Sequence, residues 1–396
     1  YSNLSSALEE AAAGESIWVA QGFYRPTEGA DRHVTYEIPK GVKIFGGFLG
    51  NEITFEERDT TGVLSILSGD IGVLIDSTDN CYHVLTARSP DENTVLDGFY
   101  IRHGNSNGNT FDTRYGGGLF ITTEEGDTSA SKMIIRNCTF EYNSGSYGAA
   151  IGVNSPDNLG ITPRLENCHF ISNRATVNGG AFHRSEDNGS TSDTLIFKQC
   201  TFRNNYALYG GGVDFVALAQ PLLFLGCEFE DNFTAISGSG INLLSATDGS
   251  NVSVLETTFL NNSSDAGGGL FAFVDLQAPD GVSSLKIQHC TFGGNEAKNS
   301  WGGGVSLAIA GPNGSEYFLE VDSVSFINNK STTRGAGFQT TFVGGAITSY
   351  QTVSNTQFIN NDGGPPIGGG FSVRGNLENP TKCYNLFYNC LFTSNT

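Results

Sequence analysis

The sequence predicts an all-β chain: a single right-handed parallel β-helix with a short capping helix at its N-terminus. Three observations carry this. A Phe-x-x-Asn motif recurs at a near-constant step, a glycine cluster follows each copy, and short β-type runs separated by Gly, Asn, Asp and Ser fill the spaces between without a helical period.

The motif's phenylalanines are Phe140, Phe170, Phe202, Phe229, Phe259, Phe292, Phe326, Phe358 and Phe392, at steps of 30, 32, 27, 30, 33, 34, 32 and 34 residues. The asparagines follow as Asn143, Asn173, Asn205, Asn232, Asn262, Asn295, Asn329, Asn361 and Asn395. From each Asn to the next cluster (Gly148, Gly179, Gly210, Gly238, Gly267, Gly302, Gly335, Gly368) the gap is only 5 to 7 residues, whereas from cluster to next Phe it is 19 to 25. One corner is therefore constant and another takes insertions, which in a stacked array emerge on one face. About thirty residues holding three short strands suit one β-helix coil, rising roughly 4.8 Å per coil; the blades of a β-propeller need a longer period.

Each position then has a physical task. Phe points inward and stacks on the Phe of the next coil. Two residues earlier stand Cys138, Cys168, Cys200, Cys227, Cys290 and Cys390, replaced elsewhere by Thr257, Val324 and Thr356, which marks a small buried site. Asn137, Asn167, Asn355 and Asn389, and the Asn closing each motif, are expected to turn the chain and form amide ladders. Glycine supplies positive φ and close approach of coils.

Residues 1–20 read as cap and first strand: "SNLSSALEEAAAG" offers a Ser or Asn N-cap, a Leu/Ala helix covering the open edge of the first coil, and a stop at Gly14. Residues 21–115 read as irregular early coils and 116–396 as regular ones, within one domain of 396 residues. The start at Tyr1, with Met133 the only methionine, and the end within a motif lead to the expectation of a processed piece of a longer array.

The net charge of −20 disfavours nucleic acid and anionic membrane surfaces, and no apolar run approaches the roughly twenty residues that span a bilayer. Cys81 and Cys383 fall outside the Cys phase and are the thiols open to another role, while the remainder are expected to stay reduced and buried. No Cys-x-x-Cys or His cluster suggests zinc. "GGGVDF" at 210–215 partly matches a calcium coil but occurs once, so Asp214 is expected to face solvent. His33, His83, His103, His169, His183 and His289 lack ligand spacing and are expected at the surface. Carboxylates of a polysaccharide-cleaving groove would have to come from scattered positions: Asp157, Glu186, Asp187, Asp193, Asp248, Asp275 and Asp280. No catalytic residue, cofactor or metal is therefore assigned. The surface left for function is the inserted segments 154–163, 183–193, 274–283, 308–317 and 375–382.

The stretches "ALEEAAAGESIWVAQGFYRPT", "VKIFGGFLGNE", "ERDTTGVLSILSGDI", "NCYHVLTA" and "VLDGFYIRHGNSNG" resemble the opening of large secreted bacterial right-handed β-helix proteins. The later Phe-x-x-Asn and Gly-Gly-apolar units are similar to the repeats of chlamydial polymorphic outer membrane proteins. Arg102, where the earliest such unit would carry Asn, departs from the pattern. The resemblance implies an extracellular or cell-surface, non-catalytic segment of an adhesin or appendage that presents its inserted loops to a glycan or protein. Assembly into a homo-oligomeric fibre is compatible with such a segment. The competing expectation is a lyase, hydrolase or epimerase acting on an acidic polysaccharide.

Overall fold

The computed structural model describes residues 3–124, 126, 131–155, 160–185, 193–364, 368–375 and 382–396. The chain is nearly all β, 49% strand and 4% helix, with parallel strands wound as a β-solenoid. It divides into two compact units, residues 1–185 with 199–201, and 186–198 with 202–396.

In the first unit a regular coil runs Ser131–Arg136, Thr139–Glu141, Ser144–Tyr147 and Ile151–Val153, one strand in each of four sheets, here named A, B, D and C in that chain order. Every strand pairs in parallel with its counterpart one coil away, as Phe140 with Phe170 and Ile151 with Phe182. The second unit repeats the plan, for example Asn251–Leu255, Thr258–Leu260, Ser263–Ser264 and Leu270–Asp275. Sheet D is an addition to the three strands per coil read from the sequence. Some of its members, such as "SGSY" and "SS", are short and polar without apolar alternation, so there only pairing between coils identifies them.

Phenylalanine and asparagine columns run through the interior. In the first unit the Phe140 and Phe170 rings stack at 5.3 Å. In the second, successive rings from Phe202 through Phe229, Phe259, Phe292, Phe326, Phe358 and Phe392 lie 4.6, 4.9, 4.5, 5.0, 4.9 and 4.7 Å apart. Asn143 donates its amide to Asn173 Oδ1, and Asn205, Asn232, Asn262, Asn295, Asn329 and Asn361 each do the same to the next Asn of the second unit. The residue before each Asn (Tyr142, Ser172, Asn204, Asp231, Asn261, Gly294, Asn328, Asn360, Ser394) is left-handed, with φ between 52° and 56° apart from Gly294 at 64°. The buried amide accepts from the Asn N–H of the preceding coil and donates to a carbonyl there, as Asn173 does with Asn143 N and Phe140 O, so a buried backbone N–H at the turn is paired.

The Cys column is buried from Cys138 to Cys290, and Cys390 is half-buried. Its thiols do more than fill space: Cys138, Cys168 and Cys200 donate to the carbonyls of Leu96, Ile135 and Leu165 in the preceding coil, and Cys227, Cys290 and Cys390 to those of Phe197, Val254 and Val353. Thr257 and Thr356, which stand in the same column, donate hydroxyls to Leu255 and Ser354. The turn ahead of this column is left-handed at Asn137, Asn167, Asn355 and Asn389. There Asn167 donates to Asn137 at 2.8 Å and Asn389 to Asn355 at 2.6 Å.

Two details of the N-terminal reading change. Helix α1 (Leu4–Glu10) is capped by Asn3, whose side chain accepts from Ser6 N, but it ends at Ala11 in extended conformation. Gly14, at φ 92°, belongs to the turn before Ser16–Ala20 and does not stop the helix. Further on, Phe140 pairs with Ile101, so Ile101 occupies the Phe position of that coil and Gly104 the Asn position, its N–H donating to Asn143 Oδ1. Arg102 is thus not a failed ladder Asn but an outward strand residue paired to Glu141 at 3.4 Å.

Asp97 ties these early coils together. Its buried carboxylate receives Arg58 at 2.8 Å, Arg136 at 2.5 Å and Asn137 at 2.9 Å. Burial alone would raise its pKa, and these donors outweigh it and hold the carboxyl below its usual range.

Candidate functional site

The glycine turn from sheet D to sheet C gives each coil a re-entrant corner. Gly148, Gly179, Gly210, Gly238, Gly267, Gly302 and Gly335 all have positive φ, between 49° and 67°. A Cβ added to Gly179 would sit 2.7 Å from His183 Cβ; one on Gly210, 2.6 Å from Asp214 Cβ; one on Gly267, 2.8 Å from Phe271 Cβ. The outer surface of the chain therefore folds onto itself four residues later, and the residue before the glycine faces the outward residue of sheet C across a concave angle. The later glycines of the cluster serve a different need: a Cβ on Gly212 or Gly269 would strike the next coil at Gly240 O or Gly304 O. Gly368 is an exception, having neither positive φ nor a close neighbour.

In the first unit this corner is lined with rings. The outward column of sheet C runs Glu37, Thr86, Phe120, Gly152, His183. Facing it, Tyr115 and Tyr147 bridge in parallel, their rings stacked at 4.9 Å. His183 lies 5.3 Å from Tyr147 and 6.0 Å from Tyr115, and Phe120 stacks on His83 at 5.2 Å. Arg114 donates to the Tyr147 hydroxyl at 2.8 Å and holds its guanidinium 4.6 Å above that ring. The Tyr115 hydroxyl sits beside Asn154 and Ser185, where the inserted segments begin, and burial raises its pKa. His83 and His183 are buried here, contrary to the surface placement expected from the sequence; His33, His169 and His289 are exposed and His103 is half-buried.

At the N-terminal end of the same sheet lies a cavity of about 400 Å³. Glu9 of α1, Glu37, Lys40, Arg88, Ser89 and Glu124 contribute its polar wall. Ser89 is left-handed at φ 44° and its hydroxyl accepts from Glu124 N at 2.8 Å. Arg88 and Glu37 pair at 3.4 Å, each more than a third exposed, so the pair contributes at most about 1 kcal/mol. The cavity can hold a polar, hydrogen-bonding ligand between acidic and basic groups. Sequence inspection missed these carboxylates because they come from a helix and separate coils with no common motif.

In the second unit the outward column reads Asp214, Asn242, Phe271, Ser306, Gln339, Ser372. Asp214 is fully buried and accepts from Asn242 Nδ2 at 2.6 Å, while Ser237 donates to Asn242 Oδ1 at 2.9 Å. The expected solvent-facing Asp214 is thus corrected: strand alternation does point it outward, but the corner covers that column. Trp301 stands before Gly302 with the Arg374 guanidinium 6.0 Å from its ring.

In chain order the inserted segments 154–163, 183–193, 274–283, 308–317 and 375–382 all fall between a sheet C strand and the following sheet A strand. Asp157, Glu186 and Asp187 lie outside the described residues. Asp193 and Asp275 are half-buried and Asp280 is exposed. Asp248 accepts from the backbone of Gln277 and Ala278 at 3.2 and 3.0 Å, bracing one loop against its neighbour. Cys81 is fully buried, and burial pushes its thiol up to about 12; burial also raises the half-buried Cys383. Among the described residues no three His, Cys, Asp or Glu side chains gather as metal ligands, and no helix is long and apolar enough to cross a membrane. No family model, curated protein or solved structure matches the chain.

Proposed function

We propose that the chain is a non-catalytic, extracellular β-helix segment of a bacterial surface adhesin or appendage, and that it binds glycan along the re-entrant corner of sheet C and through the inserted segments that follow its strands in the chain. The observation that carries this reading is the seam of Tyr115, Tyr147 and His183 with Arg114 over Tyr147. Concave sites hold small polar ligands with aromatic surface and a few fixed polar groups, and sugar rings offer apolar faces and hydroxyls to such a surface. The resemblance to polymorphic outer membrane protein repeats supports the same reading, as does a charge of −20 that disfavours nucleic acid and anionic lipid as partners.

A glycan array probed with the whole chain tests it. Arg114→Ala and Tyr147→Ala should each weaken the bound glycans about tenfold, and Glu228→Ala on sheet B should not. Absence of any bound glycan, or equal binding by all three variants, overturns the proposal.

The second reading, a carbohydrate-active enzyme on an acidic polysaccharide, is favoured by Glu37 and Glu124 sharing a cavity with Arg88. Turnover of such a polysaccharide, abolished by Glu37→Gln or Glu124→Gln, would replace the first reading.

A further inference from the structure

The outer face of sheet A in the second unit carries a second, independent surface. Strands Glu316–Asp322, Thr348–Ser354 and Lys382–Tyr388 pair in uninterrupted seven-residue register. Their outward residues form aligned columns: Glu316, Thr348, Lys382; then Phe318, Tyr350, Tyr384; then Glu320, Thr352, Leu386. The three rings of the middle column stack at 5.1 and 5.3 Å, near parallel, into one ridge. They remain 40%, 38% and 55% exposed, on a flat sheet face where a lone aromatic would be unremarkable but a contiguous row is not.

The charges flanking the ridge point to its occupant. Glu316 and Lys382 lie at the same strand position, two coils apart, with neutral Thr348 between them. Consider a two-fold axis lying in the plane of the face, parallel to the strands and passing over Tyr350. It reverses the coil order and preserves position along the strand. Glu316 then meets the second copy's Lys382, Lys382 meets its Glu316, Phe318 meets Tyr384, and Tyr350 meets itself. An isologous interface demands this self-complementarity, and an arbitrary protein partner would not.

We propose that this face is the interface of a closed, antiparallel two-fold dimer of the chain. Three strands roughly 4.8 Å apart and roughly 23 Å long define a small patch. At about 330 Å² on each copy it falls below the roughly 1,000 Å² in total that a stable interface buries, so the dimer is weak and transient. The charge of −20 on each copy opposes assembly at low salt, so association strengthens from 20 to 150 mM salt as the Debye length shrinks to about 8 Å.

Sedimentation velocity of the whole chain from 1 to 500 μM at 150 mM salt tests the proposal. A concentration-dependent monomer–dimer equilibrium is expected, lost in Tyr350→Asp. Glu316→Lys and Lys382→Glu, each of which places like charges opposite one another twice, should weaken the dimer about tenfold. The double variant Glu316→Lys/Lys382→Glu should restore it, a rescue that a purely structural effect of either charge would not produce. A monomer throughout the range, an open-ended series of larger species, or a double variant no better than the singles would overturn the proposal.

Discussion

Replacing Asn262 by alanine tests the central column of the second unit. The Asn262 amide donates to Phe229 O at 2.9 Å and Asn295 Oδ1 at 3.0 Å, and its carbonyl accepts from Asn232 N at 3.1 Å and Asn232 Nδ2 at 3.0 Å. All of this occurs with Asn262 fully buried. Alanine deletes four hydrogen bonds. Each is worth about 1 kcal/mol net, and the Asn232 N–H, left buried without this acceptor, adds a further 1–3 kcal/mol. Asn295 Oδ1 keeps the Asn262 backbone N–H, and Asn232 Nδ2 keeps Phe202 O, so the loss stays at about 5–7 kcal/mol. Because each coil of a solenoid contacts only its neighbours, the loss falls at the two junctions that flank this coil. Urea unfolding followed by far-ultraviolet circular dichroism should show a markedly lower midpoint. The exposed Asn251→Ala should stay within about 0.5 kcal/mol of the parent chain. If Asn262→Ala also lay within about 1 kcal/mol, the amide column would be a consequence of the fold and not a support for it.

Asp97→Ala should destabilise the first unit by about 3–5 kcal/mol, because it leaves the Arg58 guanidinium, only 8% exposed, buried without its carboxylate; thermal melting reads this directly. Native protein should react with a thiol reagent at Cys383 and Cys390 alone, with Cys81, Cys138, Cys168, Cys200, Cys227 and Cys290 appearing only after unfolding; mass spectrometry of the labelled peptides decides it. Burial holds His83 below the usual imidazole range, against the opposing pull of the Gly116 and Asp112 carbonyls, and burial lowers His103 as well. The folded state therefore binds fewer protons than the unfolded one, so stability is full above about pH 6.5 and falls as pH drops through the folded value. Melting temperatures at pH 7.5 and 5.5 should show a loss that shrinks in His83→Gln.

Which parts of this were legible beforehand follows from how each is encoded. The parallel β-helix with its N-terminal helix was legible because spacing between like residues becomes stacking once coils align, as Phe259 on Phe292 illustrates. The position of Ile101 was not, because Phe99-x-x-Arg102 imitates the motif and only pairing with Phe140 shows the true register. The sheet C corner was half legible. A glycine cluster announces a turn with positive φ, but not that the surface folds inward there. Consequently the burial of Asp214 and His183, both outward by strand alternation, escaped a one-dimensional reading.

Left to itself, the sequence determined the period, the inward column of Phe, Cys and Asn, and the corner that accepts insertions. These are set by residue type and interval, because each buried group must find its like one coil away. The tertiary structure alone decided which outward residues share one surface. Glu9, Glu37, Glu124 and Arg88 share a cavity, Tyr115 and Tyr147 face His183, and Glu316 and Lys382 flank one aromatic ridge, although tens of residues separate them in the chain. The physical reason is that outward positions need satisfy no repeating constraint. Their residues are free to vary from coil to coil, and their meaning arises only when the fold sets them side by side.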